Sequence, residues 1–398
     1  MKKNNVNIES NLKCTGCGVC SVVCPVDAID IKLDNHGFYR PIIKDSRCTE
    51  CGLCKKSCYK FLDFDENQKF KIAFENSTLY MAYTKDEEVR KTTSSGGIAY
   101  EIAKYYLKRG YKICGVEYNI ENKRAEHIII DHENDVYRIK SSKYLQSYTK
   151  LAFEKFDKDG KYVVFGTPCQ IYGIRQYIKT KKIESNFILI DLFCHGIPSY
   201  LLWHKYLKHI NKKYRMNNIN EINFRDKRYG WHNYSMNIRC KEKNYYKTLN
   251  EDLFFRFFLS NICLNESCYK CALRLDKVYS DMRLGDFWSN KCQNDEKGVS
   301  IIAVNTEKGK EIINNLKTHI IAEQVTMKDL LESQPIRFLA KPKKYEEAME
   351  LLKKDVSLDK IYKEVLLFKY LKGNIKRFIL KFIPQKLKLI IKNMLGER

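Results

Sequence analysis

The chain has 398 residues, of which 44% are hydrophobic and 13% aromatic, and its formal net charge is +24. This composition excludes an intrinsically disordered protein, and the length allows two or three domains, each with its own core. The sixteen cysteines follow a start with no apolar signal-peptide segment, so we expect thiolate metal ligands in a reducing compartment and not a secreted disulfide scaffold.

The first predicted element is a pair of cysteine runs, at residues 14–24 and 48–58, each with the spacing C-x2-C-x2-C-x3-C. In bacterial two-cluster ferredoxins, the first three thiolates of such a run hold one [4Fe–4S] cluster and the fourth reaches the other cluster. The pattern therefore predicts a first cluster on Cys14, Cys17, Cys20 and Cys58. It predicts a second cluster on Cys24, Cys48, Cys51 and Cys54.

Zinc knuckles are the alternative, but they use two cysteine pairs separated by a longer loop and fit two complete runs poorly. Between the runs, alternating residues at 28–34 and 38–43 predict a β-hairpin. A proline follows the last cysteine of the first run, as in small ferredoxins, whereas Tyr59 takes that place after the second run. We expect an α+β ferredoxin-type two-cluster domain over residues 1–65, followed by a charged linker.

A larger domain is predicted over residues 75–335. It begins with a short strand, followed by a helix at 98–108 whose apolar residues recur at helical spacing. Glycines precede that helix, and amides exposed at a helix N-terminus bind anions, although an ordinary capped helix explains the same residues. Further strands are expected at 112–118 and 125–131, followed by a polar turn at 141–147.

Two buried strands are predicted at 161–165 and 187–193, with a helix at 171–178 between them. Such a unit forms a right-handed parallel crossover. Cys169 and Cys194 then lie at the carboxyl ends of neighbouring strands, where open α/β sheets bind ligands. The larger domain is therefore predicted to be an α/β domain with a mixed sheet.

Several motifs of the larger domain occur together in an order that resembles one family. They are Ser95-Gly96-Gly97, Ser142-Lys143-Tyr144, Gly166-Thr167-Pro168-Cys169-Gln170, Phe193-Cys194-His195-Gly196, Cys268-x2-Cys271 and Ser280-Asp281 through Gly285-Asp286-Phe287-Trp288. The chain resembles the beta subunit of coenzyme F-420 hydrogenase/dehydrogenase, in the version with an N-terminal two-cluster ferredoxin domain. The resemblance implies a flavoprotein that binds FAD and passes electrons between iron–sulfur clusters and a two-electron acceptor.

The resemblance also implies a third [4Fe–4S] cluster, for which the matching ligands are Cys169, Cys194, Cys268 and Cys271. A four-cysteine zinc site would satisfy the same geometry. Cys263 and Cys292 are the substitutes if one ligand is misassigned. Cys114 and Cys240 lie in strand-like segments and are predicted to be core thiols.

FAD is placed by the resemblance alone, since no G-x-G-x-x-G fingerprint follows a strand. The implied FAD residues, divided between the pyrophosphate and the flavin ring, are Ser95, Gly96, Gly97, Lys143, Ser147, Thr167, Pro168 and Gln170. His195 and Asp286 are candidates for proton delivery, although His195 also suits a structural hydrogen bond in the cluster loop. Arg225 is expected to meet an anionic substrate or to form a surface ion pair with Asp226.

The last predicted region, residues 336–398, is a helical, basic and amphipathic tail. Its final thirty residues favour an interfacial helix pair on an anionic membrane surface, with packing against the body or a partner as the alternative. We expect a cytoplasmic protein, with peripheral contact at the inner membrane face. The positive charge favours an acidic, ferredoxin-type electron donor, and no stretch is laid out as a nucleic-acid-binding module.

These patterns and the resemblance together predict an iron–sulfur flavoprotein oxidoreductase. It would relay electrons from a ferredoxin-type donor through [4Fe–4S] clusters to FAD and an unknown two-electron acceptor. An electron-transfer subunit of a larger complex is one alternative. An accessory protein of polysaccharide biosynthesis with structural clusters is the other.

Overall fold

The computed structural model describes residues 4–6, 14–61, 74, 76–241, 243–275, 277–334, 336–367 and 371. Its strands are β1 Ile29–Leu33, β2 Tyr39–Ile43, β3 Thr78–Thr84, β4 Lys112–Asn119, β5 Arg124–Ile130, β6 Tyr162–Phe165, β7 Phe187–Leu192, β8 Ile219–Asp226, β9 Ser235–Cys240, β10 Asn244–Thr248, β11 Met282–Asp286, β12 Ser300–Val304 and β13 Ile320–Gln324. Its helices are α1 Val19–Val22, α2 Leu53–Lys56, α3 Glu87–Thr92, α4 Ile98–Leu107, α5 Val136–Ile139, α6 Lys150–Phe153, α7 Pro168–Lys181, α8 Tyr200–Tyr214, α9 Leu253–Phe258, α10 Glu307–Leu316, α11 Met327–Ser333, α12 Tyr345–Lys353 and α13 Leu358–Val365.

The N-terminal unit contains the predicted hairpin, in which β1 and β2 pair antiparallel from Ile29 opposite Ile43 to Leu33 opposite Tyr39. The carboxylate of Asp34 accepts the amides of two turn residues at 2.9 Å each and closes the turn. Each cysteine run contributes one short helix, α1 or α2, which starts after a glycine in the left-handed region. A ferredoxin-type N-terminal region is therefore confirmed.

The larger domain is built on an eight-stranded sheet with the order β13-β3-β12-β11-β7-β6-β4-β5. The four central strands β11, β7, β6 and β4 run parallel, and every pairing outside them is antiparallel. Strands β6 and β7 are joined by α7, which gives the predicted parallel crossover. The predicted α/β domain with a mixed sheet is thus confirmed.

Strand β11 lies in the middle of this sheet, yet its sequence does not have the pattern of a buried strand. The reason is Arg283, whose side chain is 1% exposed. Its guanidinium donates to both carboxylate oxygens of Asp191 on β7, at 2.7 and 2.6 Å. A buried charge is tolerated there because its partner lies on the adjacent strand.

A second layer joins the N-terminal unit to the C-terminal helices. The three-stranded sheet β10-β9-β8 and the helices α8 and α9 share one apolar core with the hairpin and with α12 and α13. The described part of the predicted tail therefore packs against the body through Tyr345, Met349 and Ile361. The predicted membrane-binding helix pair lies outside the described residues, apart from Leu371. Among the described residues, no helix has the length and apolar character needed to cross a bilayer.

Candidate metal centres

The first centre collects three cysteines of the first run and the last cysteine of the second. Burial raises the pKa of the Cys17 thiol well above its ordinary value, and the nearby thiols of Cys169, Cys58 and Cys14 add to the effect. Desolvation likewise raises the pKa of the Cys20 thiol, which lies near those of Cys17, Cys14 and Cys58. The backbone amide of Gly16 donates to the Cys14 sulfur at 3.1 Å. The predicted first ligand set therefore lies together, with an amide donor directed at one sulfur.

The second centre is a cavity of about 310 Å³ lined by the other four cysteines of the two runs, Cys24, Cys48, Cys51 and Cys54. The amide of Ala28 donates to the Cys24 sulfur at 3.3 Å. The side-chain amide of Asn5 donates to the Cys48 sulfur at 3.5 Å. Cys51 is exposed, so this centre opens to solvent.

The third centre is a cavity of about 460 Å³ in the larger domain, lined by Cys169, Cys194, Cys268 and Cys271. Cys169 follows the first residue of α7, which begins with a capping box between Thr167 and Gln170. Cys194 lies two residues after the end of β7. Cys268 is the last residue of a 3-10 turn at Glu266–Cys268, and Cys271 follows three residues later. The four predicted ligands therefore come from three separate elements that meet at the carboxyl edge of the sheet.

A cation lies beside the third centre. One guanidinium nitrogen of Arg274 donates to the carbonyl oxygens of Cys194 and His195, both at 2.8 Å. Arg274 also interacts electrostatically with the thiols of Cys194, Cys271 and Cys268. Four thiolates in one cavity need such compensation, since the charged form of a buried thiol is otherwise disfavoured. Sequence analysis missed Arg274, because nothing in Cys271-Ala272-Leu273-Arg274 indicates where its side chain goes.

The first and third centres are neighbours. Thr15, which lies inside the first cysteine run, lines the cavity of the third centre. The Tyr59 hydroxyl, next in sequence to Cys58, lies 3.8 Å from the Cys271 sulfur. Since the first and second centres exchange their fourth cysteines, the three groups form a row with the first centre in the middle.

The first cysteine run is held against the larger domain by polar contacts. The Gln146 side chain donates to the carbonyl oxygen of Thr15 at 2.8 Å, and the Thr149 hydroxyl donates to that of Cys17 at 3.0 Å. Gly16 and Gly18 have φ of +66° and +78°, and a Cβ on either would lie 2.0 Å from one of these two side chains. Both positions therefore require glycine.

Each of the three cysteine groups suits a [4Fe–4S] cluster, which takes one thiolate on each of its four irons and accepts hydrogen bonds at sulfur. Within the described residues, no three His, Cys, Asp or Glu side chains are grouped so that they could hold a single metal ion.

Half of the predicted FAD residues lie beside the third centre. Thr167 and Pro168 line its cavity. The Gln170 side chain accepts from the Thr167 amide and donates to the Ser147 hydroxyl, both at 2.9 Å. These four residues therefore form one connected group next to Cys169.

The other predicted FAD residues have partners within the protein. The Lys143 ammonium is buried, which lowers its pKa to about 7, and it donates to the carbonyl oxygens of Lys140, Ser141 and Arg138 at 2.7, 3.2 and 3.3 Å. Ser95 donates to the Val299 carbonyl, and the Gly96 amide donates to Ser300. Gly97 caps α4 in the left-handed region with φ of +85°. Lys143 and Gly96 therefore do not fit a pyrophosphate in this arrangement, because their donors are already bound.

The two predicted proton donors occupy different surroundings. His195 lines the third cavity, and its Nε2 lies 2.6 Å from the Asn261 side-chain oxygen. Burial lowers the His195 pKa. Asp286 instead receives two hydrogen bonds from Arg225, at 3.0 and 3.1 Å, and one from the Trp231 indole at 2.9 Å. The expected surface pairing of Arg225 with Asp226 is wrong, because Arg225 is 2% exposed and pairs with Asp286.

Two family models match parts of the chain. Residues 13–61 match the 4Fe-4S dicluster domain. Residues 159–329 match the family described as the C terminus of the coenzyme F420 hydrogenase/dehydrogenase beta subunit. The resemblance predicted from the motifs is confirmed by these two matches.

Two curated relatives are similar over long stretches. A component of the F(420)H(2) dehydrogenase of Methanosarcina mazei, named as one of its subunits, is 27% identical over 191 residues, which are 46% of this chain and 53% of that protein. The coenzyme F420-dependent sulfite reductase of Methanocaldococcus jannaschii is 24% identical over 356 residues, which are 81% of this chain and 49% of that protein. The chain thus spans about half the length of the curated relatives it matches.

Among solved structures, a chain of the F420-reducing [NiFe] hydrogenase complex from Methanosarcina barkeri is 17% identical, with a TM-score of 0.45. The match covers 72% of this chain and 90% of that one.

Proposed function

We propose that the chain is an iron–sulfur oxidoreductase, because it matches the 4Fe-4S dicluster domain and, further along, the C terminus of the coenzyme F420 hydrogenase/dehydrogenase beta subunit. It takes electrons from a ferredoxin-type donor and passes them through three [4Fe–4S] clusters to a two-electron acceptor. The observation that carries this proposal is the row of three four-cysteine groups. Iron–sulfur clusters supply one-electron transfer, and their spacing in a row suits a relay.

The second centre, on Cys24, Cys48, Cys51 and Cys54, is the entry point in this proposal. Cys51 is exposed there, whereas the four cysteines of the first centre, Cys14, Cys17, Cys20 and Cys58, are only partly exposed. An external protein therefore approaches the second centre most closely. The chain's net charge of +24 favours an acidic donor and makes the association rate fall with salt.

The third centre is the exit in this proposal, and Cys169, Cys194, Cys268 and Cys271 hold its cluster. The turn after Cys194 supports a cluster there, because the backbone amides of Gly196 and Ile197 lower the pKa of the Cys194 and Cys268 thiols, respectively. Amide donors and Arg274 both stabilise negative charge at the sulfurs. Zinc on the same four cysteines is the competing occupant, and metal analysis separates the two.

We also propose FAD as the two-electron cofactor, on the family resemblance together with the connected group Ser147, Thr167, Pro168 and Gln170 beside the third centre. Lys143 and Gly96 would have to exchange their present partners to contact a pyrophosphate. His195 is the proposed proton donor on this side of the protein, since it lines the third cavity. Asp286 is the second proposed proton donor, on the family motif alone. F420 appears in the names of both curated relatives and is therefore the first two-electron redox partner to test, in its reduced form as donor and in its oxidised form as acceptor.

One preparation tests the proposal. Anaerobically purified full-length chain is analysed for iron, sulfide, zinc and flavin, and its visible spectrum is followed on addition of reduced ferredoxin. We expect about twelve irons per chain, no stoichiometric zinc and bleaching by the donor. Cys169→Ser should lose about four of those irons. The matched control Cys292→Ser, a buried cysteine in a separate apolar cluster, should lose none. A colourless, zinc-loaded chain would refute the proposal.

A second candidate is an electron-transfer subunit that serves a separate catalytic chain. Its support is that one relative is named as a subunit and that the chain spans about half of each relative. In that case, chain bleached by reduced ferredoxin would reoxidise only after a partner chain is added. Reoxidation by coenzyme F420 or another small acceptor alone would favour the first candidate.

A further inference from the structure

Tyr59 joins two of the cysteine centres. It is next in sequence to Cys58, which belongs to the first centre, and its hydroxyl lies 3.8 Å from the sulfur of Cys271 in the third. The two cysteines are more than two hundred positions apart in sequence, so this contact exists only in the folded chain. The Tyr59 side chain is 2% exposed.

The Tyr59 ring is held in place by its neighbours. It packs edge-on against Tyr172 of α7, with the ring centroids 6.0 Å apart. Leu273, from the turn after Cys271, completes the same apolar cluster. The Lys60 ammonium lies 4.9 Å from the ring centroid and interacts electrostatically with Cys58 of the first centre. The hydroxyl is therefore directed at Cys271 by a packed ring and not by a mobile side chain.

The direction of the hydrogen bond follows from the chemistry of the partner. A cysteine bound to a metal cluster is a thiolate and has no proton to donate. A tyrosine hydroxyl can donate or accept, so in the loaded protein it must donate to the Cys271 sulfur. Hydrogen bonds to cluster sulfurs stabilise the more negative, reduced state and raise the reduction potential.

We propose that Tyr59 is a positioning residue that raises the reduction potential of the third centre by donating a hydrogen bond to Cys271. This inference rests on the proposed function, because it requires an iron–sulfur cluster on Cys169, Cys194, Cys268 and Cys271. A higher potential at the exit centre favours electron flow toward it from the first centre. Tyr59, which stands where small ferredoxins have a proline after the last cysteine of a run, thereby links the dicluster domain to the larger domain.

The test is a redox titration of the full-length, cluster-loaded chain, followed by electron paramagnetic resonance. The spectrum of Cys169→Ser, which lacks the third cluster, identifies the third-centre signal. Tyr59→Phe keeps the ring and removes the hydroxyl. At a fixed solution potential, we expect the ratio of reduced to oxidised third cluster to fall about fivefold in Tyr59→Phe, the effect of one hydrogen bond. The matched control Tyr177→Phe removes a hydroxyl from a half-buried tyrosine on α7 and should leave the ratio unchanged.

The possible outcomes distinguish the role of Tyr59 from the proposed function of the chain. An unchanged third-centre potential in Tyr59→Phe, with the full iron content, overturns the role of Tyr59 and leaves the proposed function standing. Loss of iron from Tyr59→Phe also overturns it, because the hydroxyl would then be needed for assembly and not for tuning. Zinc at the third centre of the unaltered chain overturns both the inference and the three-cluster relay.

Discussion

The side-chain amide of Gln146 donates a 2.8 Å hydrogen bond to the carbonyl oxygen of Thr15, between the first two cysteines of the first run. The oxygen of the same side chain accepts the amide of Tyr39 on the hairpin at 2.7 Å. One buried glutamine of the larger domain therefore satisfies two backbone groups of the dicluster unit. The row of cysteine groups depends on this contact, because Thr15 also lines the third cavity.

Replacing Gln146 should weaken this junction. Gln146→Met keeps the volume but leaves the Thr15 carbonyl and the Tyr39 amide without their partner, at a cost of about 2–4 kcal/mol. We expect a lower denaturation midpoint and faster amide hydrogen exchange in residues 14–20. Gln293→Met, at an exposed glutamine, is the control and should change neither. If exchange in residues 14–20 stays slow in Gln146→Met, the glutamine does not hold the run in place.

The exchange of fourth cysteines between the runs makes a specific prediction for Cys24. Although it belongs to the first run, it lines the second cavity with Cys48, Cys51 and Cys54. Cys24→Ser should therefore lose about four irons and lose the signal of the solvent-exposed cluster, while the enclosed first cluster remains. Cys240→Ser is the control outside all three groups. Loss of the enclosed cluster in Cys24→Ser would mean that each run holds its own cluster.

The ion pair of Arg225 and Asp286 should contribute to stability, in addition to the proton-delivery role proposed for Asp286. Asp286→Asn leaves the Arg225 charge uncompensated in a site where Arg225 is 2% exposed, and we expect a loss of about 3 kcal/mol in unfolding free energy. The double variant with Arg225→Met should recover part of that loss, because both charges are then absent. Glu87→Gln, which removes an exposed pair with Lys297, is the control and should leave the stability nearly unchanged. Unchanged stability with lost turnover in Asp286→Asn would instead support the proton-delivery role alone.

Asp252 should make stability fall with rising pH. It caps α9 and accepts hydrogen bonds from the hydroxyls of Tyr206 and Tyr245, at 2.5 and 2.9 Å. Burial raises its pKa from 3.8 to about 6. The folded state therefore holds this proton more tightly than the unfolded state, and the stabilisation is lost as pH rises through that range.

The corresponding measurement compares urea midpoints of the chain and of Asp252→Asn at pH 5 and pH 7. From pH 5 to pH 7, the stability of the chain relative to Asp252→Asn should fall by about 1 kcal/mol. Asp159→Asn, at an exposed aspartate, is the control. A difference that does not change with pH would show that Asp252 is charged throughout this range.

Sequence patterns predicted the elements whose cause is local. The hairpin follows from alternation around an Asp34 turn, and α7 from the apolar residues Ile171, Ile174 and Ile178 after a buried strand. Strand β11 was not predicted because Arg283 interrupts its apolar pattern. The buried Arg283 is compensated by an ion pair with Asp191, which lies on another strand. Charges of this kind cannot be interpreted until the strand order is known.

In the candidate centres too, features with a local cause were predicted and features that depend on tertiary contacts were not. Cysteine spacing predicted the two N-terminal groups, and the family resemblance supplied the third, Cys169, Cys194, Cys268 and Cys271, whose members are too far apart in sequence for spacing to join them. Arg274 and Tyr59 were missed because each reaches its centre only through tertiary contacts. For Lys143, the phosphate role stays a prediction, and in the fold its ammonium donates to three nearby carbonyl oxygens, which the sequence does not indicate.

The glycine contacts at the junction limit how this chain can be re-engineered. Gly16 and Gly18 admit side chains of the larger domain where any Cβ would collide. The dicluster unit therefore cannot be exchanged freely for another ferredoxin. A foreign ferredoxin in its place would pack against the larger domain only if it had glycine at both positions. Fusion designs should therefore keep the dicluster unit and the larger domain together as one unit.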